Sequence, residues 1–174
     1  MKTLCLFKKI ILIGLHLHAR RPGPHWPTED HINGDISLAF QQYYATTANK
    51  TWLRDGGGFA VIEGIARFWA SKATRNSDGS YSIPQTQSPD EYHTNVTDAV
   101  YTNLVARLSL LGAHALASTA GAAPNTTFKN IADSLRIPYD AARDINPEYE
   151  GYDLDAYPTI KQADVVLADY PLQV

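Results

Sequence analysis

The stretch Gln87-Ser88-Pro89-Asp90-Glu91-Tyr92-His93-Thr94-Asn95 sets adjacent carboxylates, an aromatic ring and an imidazole in a proline-initiated loop between two helical patterns. A carboxyl held there is a candidate general acid. Catalytic groups concentrate on loops carried by rigid elements, and Pro89 fixes the backbone just ahead of the acid pair without needing a hydrogen bond. Cleavage of a sugar linkage calls for such a group, because a protonated carboxyl must donate to the departing oxygen while aromatic and polar groups hold the ring. Glu91 is the candidate acid. Beside Asp90 and near apolar walls, its ionised form is expected to be disfavoured by desolvation and like charge. Asp90 is left to cap the next segment or to pair with an arginine. Taken by itself, the stretch reads first as a solvated acidic turn.

Other chemistries find less support. Cys5 is the single cysteine, so neither an internal disulfide nor a thiolate metal site can form within the chain. The six histidines are scattered and lack ligand spacing apart from the short His16-Leu17-His18 pair, so no metal and no cofactor are expected. Gly56-Gly57-Gly58 follows no strand and is not followed by the lysine of a phosphate loop, which makes it turn material. The net charge of -3, with signs interspersed, argues against a nucleic-acid or anionic-membrane surface. A small neutral or polar ligand fits better.

The elements that must carry the loop are helical. Over 174 residues, 44% hydrophobic and 19% charged content is that of one ordinary globular domain. Residues 20–30 contain Pro22, Pro24 and Pro27, which forbid a continuous helix. Ile36, Ala39, Phe40 and Tyr43 then recur at helical spacing, predicting a helix from about Gly34 to Thr47 with Asn33 or Asp35 as cap. A second is expected from Thr51 or Gly58 to Lys72, with Ile62, Ile65, Ala66, Trp69 and Ala73 inward. Trp69 on that stripe reads as core rather than as a sugar platform. A turn at 76–80 leads into Tyr81-Ser82-Ile83, either half of a hairpin or simply extended.

Beyond the acidic loop, Val100, Leu104, Leu108, Leu111 and Ala115 predict the longest helix, from about Asp98 to Ser118. A shorter one opens with Pro124 in its first turn and runs to about Leu135, with Phe128, Ile131, Ala132 and Leu135 inward. From Pro138 onward the chain is loop-like and rich in tyrosine, and only Ala163 to Ala168 looks regular, as helix or strand. Four amphipathic helices in sequence pack pairwise as hairpins. The fold class is therefore all-α.

Residues 1–19 stand apart. A short apolar run, Ile10 to Leu15, follows Lys8-Lys9 and precedes the small residue Ala19, a signal-like pattern that equally fits an artefactual start. The run is too short to span a bilayer. Sequons at Asn49, Asn95 and Asn125 are compatible with a secreted or vacuolar/lysosome-like destination.

Four blocks carry a resemblance. They are His31-Ile32-Asn33-Gly34-Asp35-Ile36, then Ala66-Arg67-Phe68-Trp69-Ala70-Ser71, then Ser88-Pro89-Asp90-Glu91-Tyr92-His93 with Tyr101-Thr102-Asn103, and finally Lys161-Gln162-Ala163-Asp164-Val165-Val166. In that order over about residues 29–172 they resemble glycoside hydrolase family 65. That family contains acid trehalases, the glucosidase acting on glucosylgalactosyl-hydroxylysine, and maltose, trehalose and kojibiose phosphorylases. The form of the acidic loop is closest to the acid-trehalase-like hydrolases.

The resemblance implies that residues 20–174 are an incomplete (α/α)6-barrel catalytic domain, helical hairpins with long loops, acting on an α-glucoside such as a trehalose-like disaccharide with inversion. It implies that Glu91 is the general acid. It also implies that Lys161 and Gln162 contact the non-reducing glucose, for which their donors and acceptors are suited. Without the resemblance, Lys161-Gln162 is an exposed polar pair, and His31 and His93 are polar helix-end histidines outside the site.

The departures from the family matter as well. An inverting hydrolase activates water with a second carboxylate roughly 6.5–9.5 Å from the acid. In the family's hydrolases that base lies downstream of the Lys-Gln-Ala-Asp block, and in its phosphorylases a phosphate-binding loop takes its place. Four helices are too few to close the barrel. The expectation is a central fragment with the acid but without the base, hydrolysing little or nothing alone. Two alternatives stay open: an α-glucoside phosphorylase of the same family, and a non-catalytic helical interaction module whose uncovered apolar face seeks a partner. The sequence leaves the oligomeric state undecided.

Overall fold

A computed structural model describes residues 28–174. The signal-like or artefactual segment 1–19 lies outside the described residues. Among the described residues, five α-helices carry the fold: α1 (His31–Thr47), α2 (Lys50–Arg54), α3 (Gly58–Lys72), α4 (Val100–Leu116) and α5 (Thr126–Ser134). A two-residue hairpin of β1 (Thr74–Arg75) and β2 (Tyr81–Ser82) separates α3 from the acidic loop, and a 3-10 turn at Val165–Ala168 closes the C-terminal stretch. The hairpin is antiparallel, with Thr74 opposite Ser82 and Arg75 opposite Tyr81, which settles the open choice at Tyr81 in favour of a hairpin.

The all-α expectation holds, with differences at the ends of the elements. α1 begins at His31, three residues before the expected start, and neither Asn33 nor Asp35 caps it. Asp30 precedes it with its carboxylate in an ion pair to Lys72 at the end of α3, at 2.5 Å. A contact between distant segments sets this start, where local cap preference points elsewhere. The second expected helix begins at Gly58, the later of the two starts foreseen, and the short α2 precedes it. Gly57 has φ +87°, a left-handed conformation that L side chains rarely adopt, and the chain turns there between α2 and α3. α5 follows Asn125, whose side chain accepts the Thr127 backbone N–H at 2.9 Å, so Pro124 lies ahead of the cap rather than in the first turn.

α4 is the central element, packed against α1, α3, α5 and the 3-10 turn. The predicted stripe is partly out of register with what is buried. Val100 and Leu104 are covered, but Leu108 and Leu111 are only half-buried and Ala115 is exposed, whereas Val105, Ala106, Ser109, Leu110 and Ala113 are buried. A helix enclosed on several sides has no single apolar face to display, so periodicity misplaces its core side. The expected inner residues of α3 and α5 fare better, with Ile62, Ala66, Trp69, Phe128, Ile131 and Ala132 all in the core.

Close approach between α1 and α4 depends on Gly34. A Cβ built there would stand 2.4 Å from Val105 Cγ2 and 2.5 Å from Val105 Cβ. The entry to α4 is held by buried Asp98. Its carboxylate accepts from Ser82 Oγ at 2.8 Å, from the Ile83 N–H at 2.9 Å and from Asn103 Nδ2 at 2.9 Å. These bonds satisfy a charge that is costly to leave unpaired, and they fix the two stems of the acidic loop to each other. Among the described residues, no helix is long and apolar enough to cross a membrane.

Candidate functional site

The acidic loop is closed at its neck by reciprocal backbone hydrogen bonds between Thr86 and Val96, at 3.0 and 2.9 Å. Inside the neck the chain is buried from Thr86 to Asp90, held by the Gln87 N–H to the Thr28 carbonyl at 2.7 Å and by His31 Nδ1 beside the Gln87 carbonyl at 3.3 Å. It emerges at Glu91. A stretch that begins buried and ends half-exposed is a rigid mount for a group that must reach a ligand. His31 thus braces the loop from the start of α1.

The structure brings Glu91, Lys161 and Gln162 together, although some seventy residues separate them in sequence. Lys161 Nζ donates to Glu91 Oε2, and Gln162 Nε2 donates to the Pro89 carbonyl. The Lys161 and Glu91 side chains are 41% and 35% exposed, so this ion pair is solvent-accessible. Where the sequence pointed to apolar walls, the contact seen at Glu91 is with the Lys161 ammonium. The pairing raises the Lys161 pKa above the ordinary lysine value, the hydrogen bond to Glu91 being the main cause.

Burial falls instead on Asp90, which is 1% exposed. Among the described residues it forms no ion pair with an arginine. Its Oδ2 accepts the Lys161 backbone N–H at 2.8 Å, and its Oδ1 accepts the Tyr92 N–H at 3.0 Å, the turn-capping role foreseen as one alternative. The Asp90 N–H in turn donates to Asp164 Oδ2 at 3.0 Å. Two buried aspartates therefore cross-link the acidic loop to the Lys161–Asp164 segment, each holding backbone rather than side chain. Bonds of this charge-assisted kind fix position well. They set Glu91 and Lys161 on adjoining edges of the two segments.

A third carboxylate, Glu148, joins them. Its segment is tied alongside the entry to α4, with the Val100 N–H donating to the Glu148 carbonyl at 2.8 Å and the Glu150 N–H to the Thr97 carbonyl at 3.2 Å. Only 7% exposed, the Glu148 carboxyl is pushed up to about 7, first by burial and then by the negative charges of Asp164 and Asp90. Burial also pushes Asp164 above the usual carboxylate range, against the hydrogen bond from the Asp90 N–H. Glu148 went unnoticed in the sequence. It sits in a loop-like stretch with no periodic signal, and only its neighbours Asp90 and Asp164, far along the chain, make it unusual.

His93 belongs to an aromatic group. Its ring lies 4.7 Å from that of Tyr157, with Tyr149 and Tyr152 at 5.4 and 5.6 Å. Among the described residues, no group of three or more His, Cys, Asp or Glu side chains is arranged to hold a metal ion.

Comparison with known proteins gives this arrangement a context. A family model described as the glycosyl hydrolase family 65 central catalytic domain matches residues 16–132, a span that takes in Glu91 and stops short of Lys161 and Gln162. The chain is 39% identical over 145 residues to the protein-glucosylgalactosylhydroxylysine glucosidase of Mus musculus, covering 83% of this chain and 21% of that protein. With the Danio rerio protein of the same name it shares 42% over 145 residues, 83% of this chain and 22% of the other. With the kojibiose hydrolase of Flavobacterium johnsoniae it shares 33% over 146 residues, 84% and 21%.

This chain spans about a fifth of the length of these relatives. Its fold superposes on a putative kojibiose phosphorylase from the human microbiome with a TM-score of 0.71 at 16% identity, covering 86% of this chain and 28% of that one. The likeness establishes the fold as part of an (α/α)6 barrel.

Proposed function

Because the chain belongs to glycosyl hydrolase family 65, we propose that residues 20–174 form part of a catalytic domain that cleaves an α-glucosidic bond with inversion. Glu91 is the general acid that protonates the leaving oxygen. Lys161 and Gln162 hold the non-reducing glucose. The observation that carries this reading is the meeting of Glu91 with Lys161 and of Pro89 with Gln162. It sets a carboxyl group next to groups that hydrogen-bond sugar hydroxyls. The Lys161–Glu91 pair is exposed and therefore weak, so a sugar hydroxyl can compete for the lysine.

The relatives compared above are named for glucosylgalactosylhydroxylysine and for kojibiose, not for trehalose. The substrate proposed here is accordingly a glucoside of that kind rather than a trehalose-like disaccharide. A phosphorylase remains the second reading, favoured by the shape it shares with a putative kojibiose phosphorylase. The three sequons support a secreted or vacuolar/lysosome-like location, and loss of mass on treatment with an N-glycosidase would test it.

Glucose release should be measured from kojibiose, glucosylgalactosylhydroxylysine, maltose and trehalose, each with and without phosphate. Glu91→Gln should abolish whatever turnover the protein shows, and an unchanged rate would overturn the acid assignment. Dependence on phosphate would favour the phosphorylase. Where the chain turns over nothing, calorimetry with glucose serves: Lys161→Ala and Gln162→Ala should each weaken binding, and equal affinity in both would remove them from the site.

A further inference from the structure

The acidic loop and the segment that ends in Lys161 are fastened to each other at two points, one on each side of Glu91. The inner fastener is Asp90, whose carboxylate accepts the Lys161 backbone N–H at 2.8 Å. The outer one is His93, two residues beyond Glu91. Its ring is seated among Tyr149, Tyr152 and Tyr157, at centroid distances of 5.4, 5.6 and 4.7 Å. Tyr157 in turn stands four residues before Lys161. Two segments joined at one point can pivot about it, whereas a second point beyond Glu91 fixes which way the carboxyl faces.

The seat is held in place without His93. The Tyr149 and Tyr152 rings lie 5.2 Å apart at 85°, and the Tyr152 hydroxyl donates to the Tyr157 carbonyl at 2.9 Å. The Tyr157 N–H donates to the Asp153 carbonyl at 2.9 Å, and the Glu150 N–H ties the segment to Thr97, in the far stem of the loop, at 3.2 Å. His93 meets Tyr152 at 89° and Tyr157 at 75°, the edge-to-face geometry in which the positive edge of one ring meets the negative face of another. Around it Tyr92, Thr94 and Asn95 are exposed, whereas His93 is half-buried. The outer half of the loop therefore rests on this one ring.

We propose that His93 is a positioning residue, whose seat among the three tyrosines holds the outer half of the loop so that the Glu91 carboxyl faces the Lys161 ammonium. The proposal rests on the glycosidase reading above and assigns His93 to the alignment of the acid, not to the chemistry.

Amine reactivity reads that alignment with no sugar present. Lys161 is 41% exposed, and its bond to Glu91 keeps the amine protonated and so unreactive. Acetylation by acetic anhydride at pH 8, followed at each lysine of the 174-residue chain by mass spectrometry, should proceed roughly 2- to 5-fold faster at Lys161 in Glu91→Gln, as suits an exposed ion pair. His93→Ala should give the same increase, and His93→Phe, which keeps a ring in the seat, should return the parent rate. Lys50 on α2 is the reference, since general unfolding would raise it as well. Tyr157→Leu removes the contact from the other side and should act as His93→Ala does. A Lys161 rate unchanged in His93→Ala and Tyr157→Leu but raised in Glu91→Gln would overturn the positioning role and leave the glycosidase reading standing. An increase that His93→Phe does not reverse would overturn ring packing as its cause. A Lys161 rate indifferent to Glu91→Gln would show that the pair does not form and would overturn both the proposal and the observation that carries the glycosidase reading.

Discussion

Replacing Glu148 with glutamine tests the electrostatics of the site most directly. The Glu148 carboxyl is raised from 4.5 to about 7 by burial and by the charges of Asp164 and Asp90. The folded chain therefore holds this proton more tightly than the unfolded chain. Its contribution to stability is complete below about pH 4.5 and is lost as pH rises through about 7. At about 1.4 kcal/mol per tenfold difference in proton affinity, the loss is at most about 3 kcal/mol. That is a large share of the roughly 5–15 kcal/mol by which a domain is stable.

Glutamine keeps the shape and one carbonyl oxygen but cannot ionise. Urea unfolding followed by tryptophan fluorescence at pH 5, 6, 7 and 8 should show the parent chain losing stability across this range and Glu148→Gln losing less. The variant should then be the more stable of the two at pH 8, by about 1–3 kcal/mol. A residual slope of the same sign is expected from Asp164, which burial also raises. Identical slopes in parent and variant, or a variant less stable at pH 8, would refute the argument.

Other perturbations address the scaffold. Asp90→Ala leaves the Lys161 and Tyr92 backbone N–H groups without their acceptor and should cost about 1–3 kcal/mol in urea unfolding, with faster proteolysis near residue 161. Gly34→Ala drives a methyl into Val105 and should lower stability by about 1–3 kcal/mol, whereas Gly64→Ala, where a Cβ meets nothing within 4 Å, should raise the melting temperature slightly. Asn125→Ala removes the cap of α5 and should cost about 1 kcal/mol, read as a lowered urea midpoint at unchanged m-value.

Much of the scaffold was legible because the signals are local. The inward faces of α3 and α5 follow from apolar residues three and four apart, and each packs mainly on one side. α4 resisted the same approach because it is surrounded, and the start of α1 because Lys72 draws Asp30 into an ion pair. At the site, Glu91, Lys161 and Gln162 could be named from their blocks, but their meeting could not be seen in either block alone. Their immediate surroundings were harder still. Glu91 was expected against apolar walls and instead meets Lys161, while the buried positions go to Asp90, Asp164 and Glu148.

The sequence by itself determined the helical character of the chain and, through four ordered blocks, its family. Both are written in residue identity and short-range spacing, which need no knowledge of the path of the chain. Tertiary structure decided which carboxylates are desolvated, which is paired with a cation, and that Tyr92 and His93 stand beside Tyr157 at the edge of an open depression. Those properties depend on field and burial. Both are set by what lies within a few ångströms, and here most of the neighbours come from segments some 55 to 75 residues apart.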